Sequence, residues 1–242
     1  MPDRRARAVL PPSLRAALGG TAVLAALVVL ALGILYAGDS GPTTVDARIW
    51  AAVEDAGPRW RYAARAMDFS GEPLGAAVLV AVVVAGCLSL RRPRAAALVV
   101  AGPAAAVATT TLLKPLVGRT IHGEHLSYPS GHTAFLTALA LVTALLVTGR
   151  LGPGRPAGTA LVLAPALLAG AAMGWAQVLL GAHYPTDVLG GGCTALAVVP
   201  VIAWLVDRTA DRTADRTADR TADRTADRAA ARASTSVRQE RG

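Results

Sequence analysis

Cysteine, lysine and aromatic residues are all scarce in this chain, and each shortage narrows what it can be. The two cysteines, Cys87 and Cys193, fall inside apolar runs and lack metal-ligand spacing. They support neither a disulfide framework nor a cysteine metal centre, and they read as small apolar side chains. Lys114 is the only lysine, so the formal charge of +8 comes mostly from arginine. The arginines gather at the ends of apolar blocks and in short loops. That placement fits membrane topology better than a nucleic-acid-binding face, so no nucleic-acid partner is expected. No apolar block carries a charge near its middle, which leaves a transporter with little support.

What the chain has in quantity is apolar sequence: 53% of its 242 residues are hydrophobic. The apolar residues arrive in blocks of roughly 17–22, the length that crosses a hydrocarbon core of about 30 Å. The blocks lie at about 18–36, 74–90, 95–113, 133–149, 159–180 and 188–206. The first is longer than the apolar region of a cleaved signal peptide and reads as an uncleaved anchor. The expected fold is all-α, an integral membrane bundle of six transmembrane helices. Ile49, Trp50, Val53 and Trp60 predict a short interfacial helix after the first span.

Three domains follow from this pattern. Residues 1–17 form an N-terminal segment, 18–206 the six-helix unit, and 207–242 an Asp-Arg-Thr-Ala repeat tail. The tail reads either as an extension of the last helix or as a solvated, disordered segment. The N-terminus, the 91–94 loop and the 150–158 loop alternate onto one side, and all carry arginine. The positive-inside rule makes that side cytoplasmic, together with the C-terminus. The 114–132 and 181–187 segments then share the extracytoplasmic face of a multi-pass protein of the cell membrane.

Those two segments carry the chemistry. Tyr128-Pro129-Ser130-Gly131-His132 precedes an apolar helix, where free N–H groups and the macrodipole favour an anion. Ser130 and Gly131 suit a phosphate, and His132 suits proton transfer. Alone, the tetrapeptide reads equally as a capped helix with an incidental histidine. In Gly181-Ala182-His183-Tyr184-Pro185-Thr186-Asp187, a turn of helix would bring the Asp187 carboxylate to the His183 imidazole. A carboxylate fixing one ring nitrogen leaves the other as a nucleophile. The plainer reading is an interfacial polar pair. Lys114 and Arg119 add two cations beside the helix end, or else act as snorkelling anchors. His122, Glu124 and His125 share the loop but fit no metal-ligand pattern.

Lys114-Pro-Leu-Val-Gly-Arg119, Pro129-Ser130-Gly131-His132 and His183-Tyr-Pro-Thr-Asp187, in that order, resemble the type 2 phosphatidic acid phosphatase superfamily. That superfamily includes bacterial lipid phosphatases and is related to vanadium haloperoxidases. The resemblance spans about residues 40–206. It implies a six-helix membrane fold and hydrolysis of phosphomonoesters or pyrophosphates without a metal or other cofactor. It also implies His183 as nucleophile, Asp187 as its orienting partner and His132 as the acid that protonates the leaving oxygen. Ser130, Gly131 and Lys114 would bind the phosphate, with Arg119 beside them.

Two family arginines are replaced. The Arg-Pro of the first motif is here Ile121-His122, and the Ser-Arg of the third is Ala176-Gln177. His122 and Gln177 are therefore candidate substitutes in the phosphate cradle. The expected activity is hydrolysis of a lipid phosphate or polyprenyl pyrophosphate through a phosphohistidine, with the bilayer holding the substrate tail. The alternative is a non-catalytic membrane protein of the same fold that binds lipid phosphate without turnover.

Overall fold

The computed structural model of the chain describes residues 8–123 and 125–239. Arg4, Arg5, Arg7 and Glu124 lie outside the described residues. Among the described residues eight α-helices follow one another: α1 (Arg15–Leu35), α2 (Thr44–Val53), α3 (Pro58–Phe69), α4 (Pro73–Ser89), α5 (Pro93–Val117), α6 (Gly131–Leu151), α7 (Arg155–Leu179) and α8 (Pro185–Gln239). Their ends follow from the sequence. Pro58, Pro73 and Pro93 open α3, α4 and α5, where a missing N–H costs nothing. Gly118 and Gly152 close α5 and α6 with φ of +68° and +62°, in the left-handed region that glycine enters freely.

The protein is an all-α membrane bundle. Among the described residues five helices are long and apolar enough to cross a membrane, and a sixth span is counted if the bent pair α3–α4 is taken as one. All six expected blocks are helices. The fourth helix, α4, has 17 residues and meets α3 at a bend of 66°. The single interfacial helix expected after the first span is instead two, α2 and α3. A capping box between Thr43 and Asp46 starts α2, and Gly57-Pro58 breaks the chain before α3.

The core is built where α5, α6 and α8 meet, around Leu98, Val99, Ala106, Leu141, Val142, Leu145, Ala195 and Val199. α1 packs on α8, and α7 packs on α6 and α3. Outward-facing Leu24, Leu27, Ile34 and Leu168 stay exposed, as lipid-facing side chains of a spanning helix are. One small irregularity interrupts the helices. Thr120–Ile121 (β1) and His125–Leu126 (β2) pair antiparallel, with Thr120 opposite Leu126, in the connection from α5 to α6.

The bundle has two unlike ends. One holds the α4–α5 and α6–α7 connections with Arg91, Arg92, Arg94 and Arg150. There, both carboxylate oxygens of buried Asp207 accept the N–H groups of Val9 and Leu10, at 2.9 and 3.0 Å. Arg94 pairs with Asp211 at 2.7 Å. The Asp-Arg-Thr-Ala repeat continues α8 as helix through Gln239. Its Thr209, Thr213 and Thr217 hydroxyls each donate to the carbonyl four residues earlier. The other end gathers the α1–α2, α5–α6 and α7–α8 connections.

Asp207→Ala removes both acceptors from two buried amides, and an unsatisfied buried group costs about 1–3 kcal/mol. The expected result is a lower Tm in detergent and earlier proteolytic cleavage near residues 8–14. An unchanged Tm and cleavage pattern would show that the N-terminal segment is held by apolar packing instead.

Candidate active site

The site is organised by a buried arginine. Arg119 leaves the end of α5 just after the left-handed Gly118 and is fully buried. One terminal nitrogen, Nη2, donates to Asp46 Oδ2 at 2.8 Å. The other, Nη1, donates to Asp187 Oδ1 at 2.7 Å and to the Thr186 hydroxyl at 2.6 Å. The guanidinium lies between the Tyr36 and Tyr184 rings, 4.4 and 4.6 Å from their centroids. One side chain from the α5–α6 connection is thereby joined to two places: Tyr36 and Asp46, in the α1–α2 connection and the start of α2, and Tyr184 and Asp187, at the start of α8.

Asp46 is the counterpart of this knot. Burial works to raise its carboxyl, but bonds from the Thr186 amide, Arg119 and Thr43 outweigh that and hold it below the ordinary value of 3.8. Asp187 is equally buried. Its second oxygen accepts the Tyr184 N–H at 3.1 Å, as the third-position acid of a capping box does. The same oxygen lies 3.7 Å from His183 Nδ1, an ion-pair distance too long for a hydrogen bond. Asp187 thus reaches the imidazole as expected, held in place by its cap and by Arg119. His183 itself precedes the helix and is 8% exposed. Burial lowers its basicity from the ordinary value, against the opposing pull of Asp187, so the ring is neutral near pH 7.

The second segment arrives against the first. Ser130 N–H donates to the Asp187 carbonyl at 3.0 Å, which docks the start of α6 on the start of α8. Gly191 permits this approach, because a Cβ there would strike the Ser130 carbonyl. Its neighbour Gly190 leaves room for the ring of Tyr128, which is fully buried and donates to the Val29 carbonyl at 2.7 Å. Ser130 then caps α6: its hydroxyl meets Thr133 Oγ1 at 3.1 Å and accepts the Thr133 N–H at 3.4 Å. Gly131 and His132 are the first two residues of the helix, so their amides have no acceptor within it. Lys114, in the last turn of α5, has no hydrogen bond or ion pair among the described residues. It lies close enough for its charge to interact with Asp187 and His183.

Several expected phosphate ligands have other partners. Arg119 has both terminal nitrogens on carboxylates and Thr186, so it acts as an internal tie and not as an open anion ligand. The Ser130 hydroxyl is buried in its cap, which leaves the Gly131 amide as the open donor of that pair. Gln177, 1% exposed on α7, donates its amide to Asp68 Oδ1 at 2.7 Å. His122 bonds the Gly181 carbonyl at 2.9 Å and stands edge-on to Trp50, fastening the hairpin turn to the loop before His183. Ile121, in the place of the first family arginine, is buried apolar surface.

The structure also brings in carboxylates that the sequence reading did not single out: Asp46, Asp68 and Glu72. All three stand in the sequence among the mixed charges of the polar stretch between the first two apolar blocks. His132 Nε2 lies 3.6 Å from both Asp68 Oδ1 and Glu72 Oε1. Among the described residues this trio is the grouping whose ligand atoms, all within 4.8 Å of one another, could hold a metal ion. His125 is on an exposed strand and takes no part in it.

A family model described as the PAP2 superfamily matches residues 73–211, more than half of the chain. Comparisons with curated proteins and with solved structures gave no match. The matched span holds Lys114, His132, His183 and Asp187, whereas Asp46, Asp68 and Glu72 all precede it.

Arg119→Leu leaves Asp46 and Asp187 buried without their cation, and breaking a buried pair in this way costs about 3–5 kcal/mol. The expected outcome is a large drop in Tm that Arg119→Lys recovers only in part, since lysine lacks the two-pronged fork. A stable Arg119→Leu protein that only loses phosphate affinity would return this residue to the ligand set.

Proposed function

The chain belongs to the PAP2 superfamily, whose members are phosphatases, and from that premise we propose that it hydrolyses a lipid phosphate or polyprenyl pyrophosphate through a phosphohistidine. The observation that carries the reading is the meeting of a neutral, carboxylate-flanked His183 with His132 and the open start of α6 at one end of the bundle.

In the proposed reaction the phosphoryl oxygens rest on the Gly131 and His132 amides, with Lys114 as the nearby cation. Asp187 directs His183 through Nδ1, leaving Nε2 to attack phosphorus. The N–P bond forms as the P–O bond to the leaving group breaks, and His132 gives that oxygen its proton. Water then attacks the phosphohistidine, returns a proton to His132 and releases inorganic phosphate. Every step is carried by side chains and water, so the activity is independent of metal.

The arginine-bearing connections at the opposite end support a cytoplasmic assignment for that end by the positive-inside rule. The catalytic end then faces the extracytoplasmic side of the cell membrane, where a headgroup meets it while its tail stays in the bilayer. Residues 18–206 make up the catalytic unit, between the cytoplasmic segment 1–17 and the cytoplasmic tail 207–242.

One observation favours a second reading, a phosphate binder without turnover. With Arg119 tied to two carboxylates and Ile121 and Gln177 uncharged, few cations remain for a phosphate dianion.

The deciding measurement is phosphate release by purified protein from a panel of lipid phosphates and prenyl pyrophosphates, with and without EDTA. Release that persists in EDTA and disappears in His183→Ala is expected. Release that persists in His183→Ala would remove the nucleophile, loss in EDTA would remove the metal-free mechanism, and no release at all would favour the binder.

The pH dependence has a definite sign. His183 attacks only when neutral, and its basicity is lowered from the ordinary 6.5. The acid limb of the rate should therefore have its midpoint below 6.5. A kcat/KM profile with its acid limb centred above 6.5 would contradict this.

A further inference from the structure

The acid of the proposed reaction has a carboxylate partner of its own. His132 Nε2 is buried and makes no hydrogen bond, yet two carboxylates stand 3.6 Å from it. Asp68 is in the last turn of α3, and Glu72 is the residue on which α4 starts, so the 66° bend between the two helices turns both towards one point. Gly71 lies within that bend, and a Cβ there would occupy the space of the His132 ring. The imidazole is therefore seated against the bend itself, and not merely beside it.

The two carboxylates are not equivalent. Asp68 is anchored from behind: the Gln177 amide, deep in α7, donates to Asp68 Oδ1 at 2.7 Å. Glu72 has no such anchor and its side chain is 51% exposed. An anchored carboxylate fixes a ring, whereas an exposed one on a flexible stem does not.

We propose that Asp68 is a positioning residue for His132, with Gln177 as its brace. Asp68 engages Nε2 and fixes the ring plane, which leaves Nδ1 to deliver the proton to the leaving oxygen. Asp68 takes up no proton itself. The site then has two histidine–carboxylate pairs of the same logic. His183 is aimed by Asp187, which Arg119 braces, and His132 is aimed by Asp68, which Gln177 braces. The titratable groups facing His132 are Asp68 from α3, Glu72 from the α3–α4 bend and His183 from the α7–α8 connection.

This inference rests on His132 being the acid, and the test separates the two claims. Phosphate release is compared on 4-nitrophenyl phosphate, whose leaving oxygen needs no proton, and on the lipid phosphate ester that the panel finds to be turned over. Asp68→Asn is expected to lower kcat on the lipid ester about 100-fold, the lower end of a general acid's contribution, and to change the nitrophenyl ester by about threefold or less. Gln177→Leu should show the same selective pattern more weakly, and Asp68→Glu should recover part of the loss.

Equal loss on both esters in Asp68→Asn and Gln177→Leu, or no loss in Asp68→Asn, overturns the role of Asp68, provided His132→Ala is selective for the lipid ester. An unselective His132→Ala overturns the acid assignment and the role of Asp68 with it. So does a protein that releases phosphate from neither ester. Turnover lost in EDTA and restored by a divalent cation in the native protein, but not in Asp68→Asn, assigns the trio to an ion and overturns positioning.

Discussion

The contact on which the rest of this structure depends is the buried Asp46–Arg119–Asp187 triad. A guanidinium between two carboxylates and two aromatic rings is costly to bury, and it persists only where each charge is answered. Here each is answered by a group from a different part of the chain: the start of α2, the α5–α6 connection and the start of α8. The triad therefore ties the α1–α2, α5–α6 and α7–α8 segments into one body at the end of the bundle where the histidines lie. Apolar packing in a bilayer cannot do this alone, because lipid tails solvate leucine as well as another helix does. Small residues set how closely the helices approach, and the polar knot sets where their ends stop.

That division of labour also explains the glycines of α8. Gly190 and Gly191 stand within a spanning helix where propensity alone would disfavour them. They do so because Tyr128 and the Ser130 carbonyl occupy the space their side chains would need. The start of α6 thereby reaches the start of α8, and the helix end suited to an anion comes to lie beside the neutral imidazole of His183. The geometry of the candidate site and the packing of the helices are the same constraint here.

Much of this was legible in the residues. The first five apolar blocks are helices within a few residues of their expected limits, and the sixth starts where expected but runs on through the repeat to Gln239, because hydrophobic length and proline or glycine punctuation are local signals. The alternation of arginine loops with histidine segments placed Lys114, His132, His183 and Asp187 at one end. The partners of the polar side chains were not legible. Arg119 lies in a motif-like stretch and reads as an anion ligand, but its use depends on Asp46, 73 residues earlier. Asp46 in turn is one of several charges in a polar stretch, with no motif to mark it. Gln177 shows the same limit: its residue type says that an amide is present, and only the approach of α3 to α7 supplies Asp68 as its acceptor. The interfacial stretch also divides into two helices, and the bend after the second delivers Asp68 and Glu72 to His132.

The sequence by itself determined the membrane fold class and the positions of the helices, and it supplied the residues proposed for phosphoryl chemistry. These depend on composition, period and spacing along the chain. Only the tertiary structure decided which charges face the site and which are consumed within it. A buried charge is defined by its partners, and those partners come from segments far apart in sequence. Arg119 became a brace because two carboxylates reached it first. Asp68 came to stand at His132 because a bend, a missing Cβ and a buried glutamine converge there.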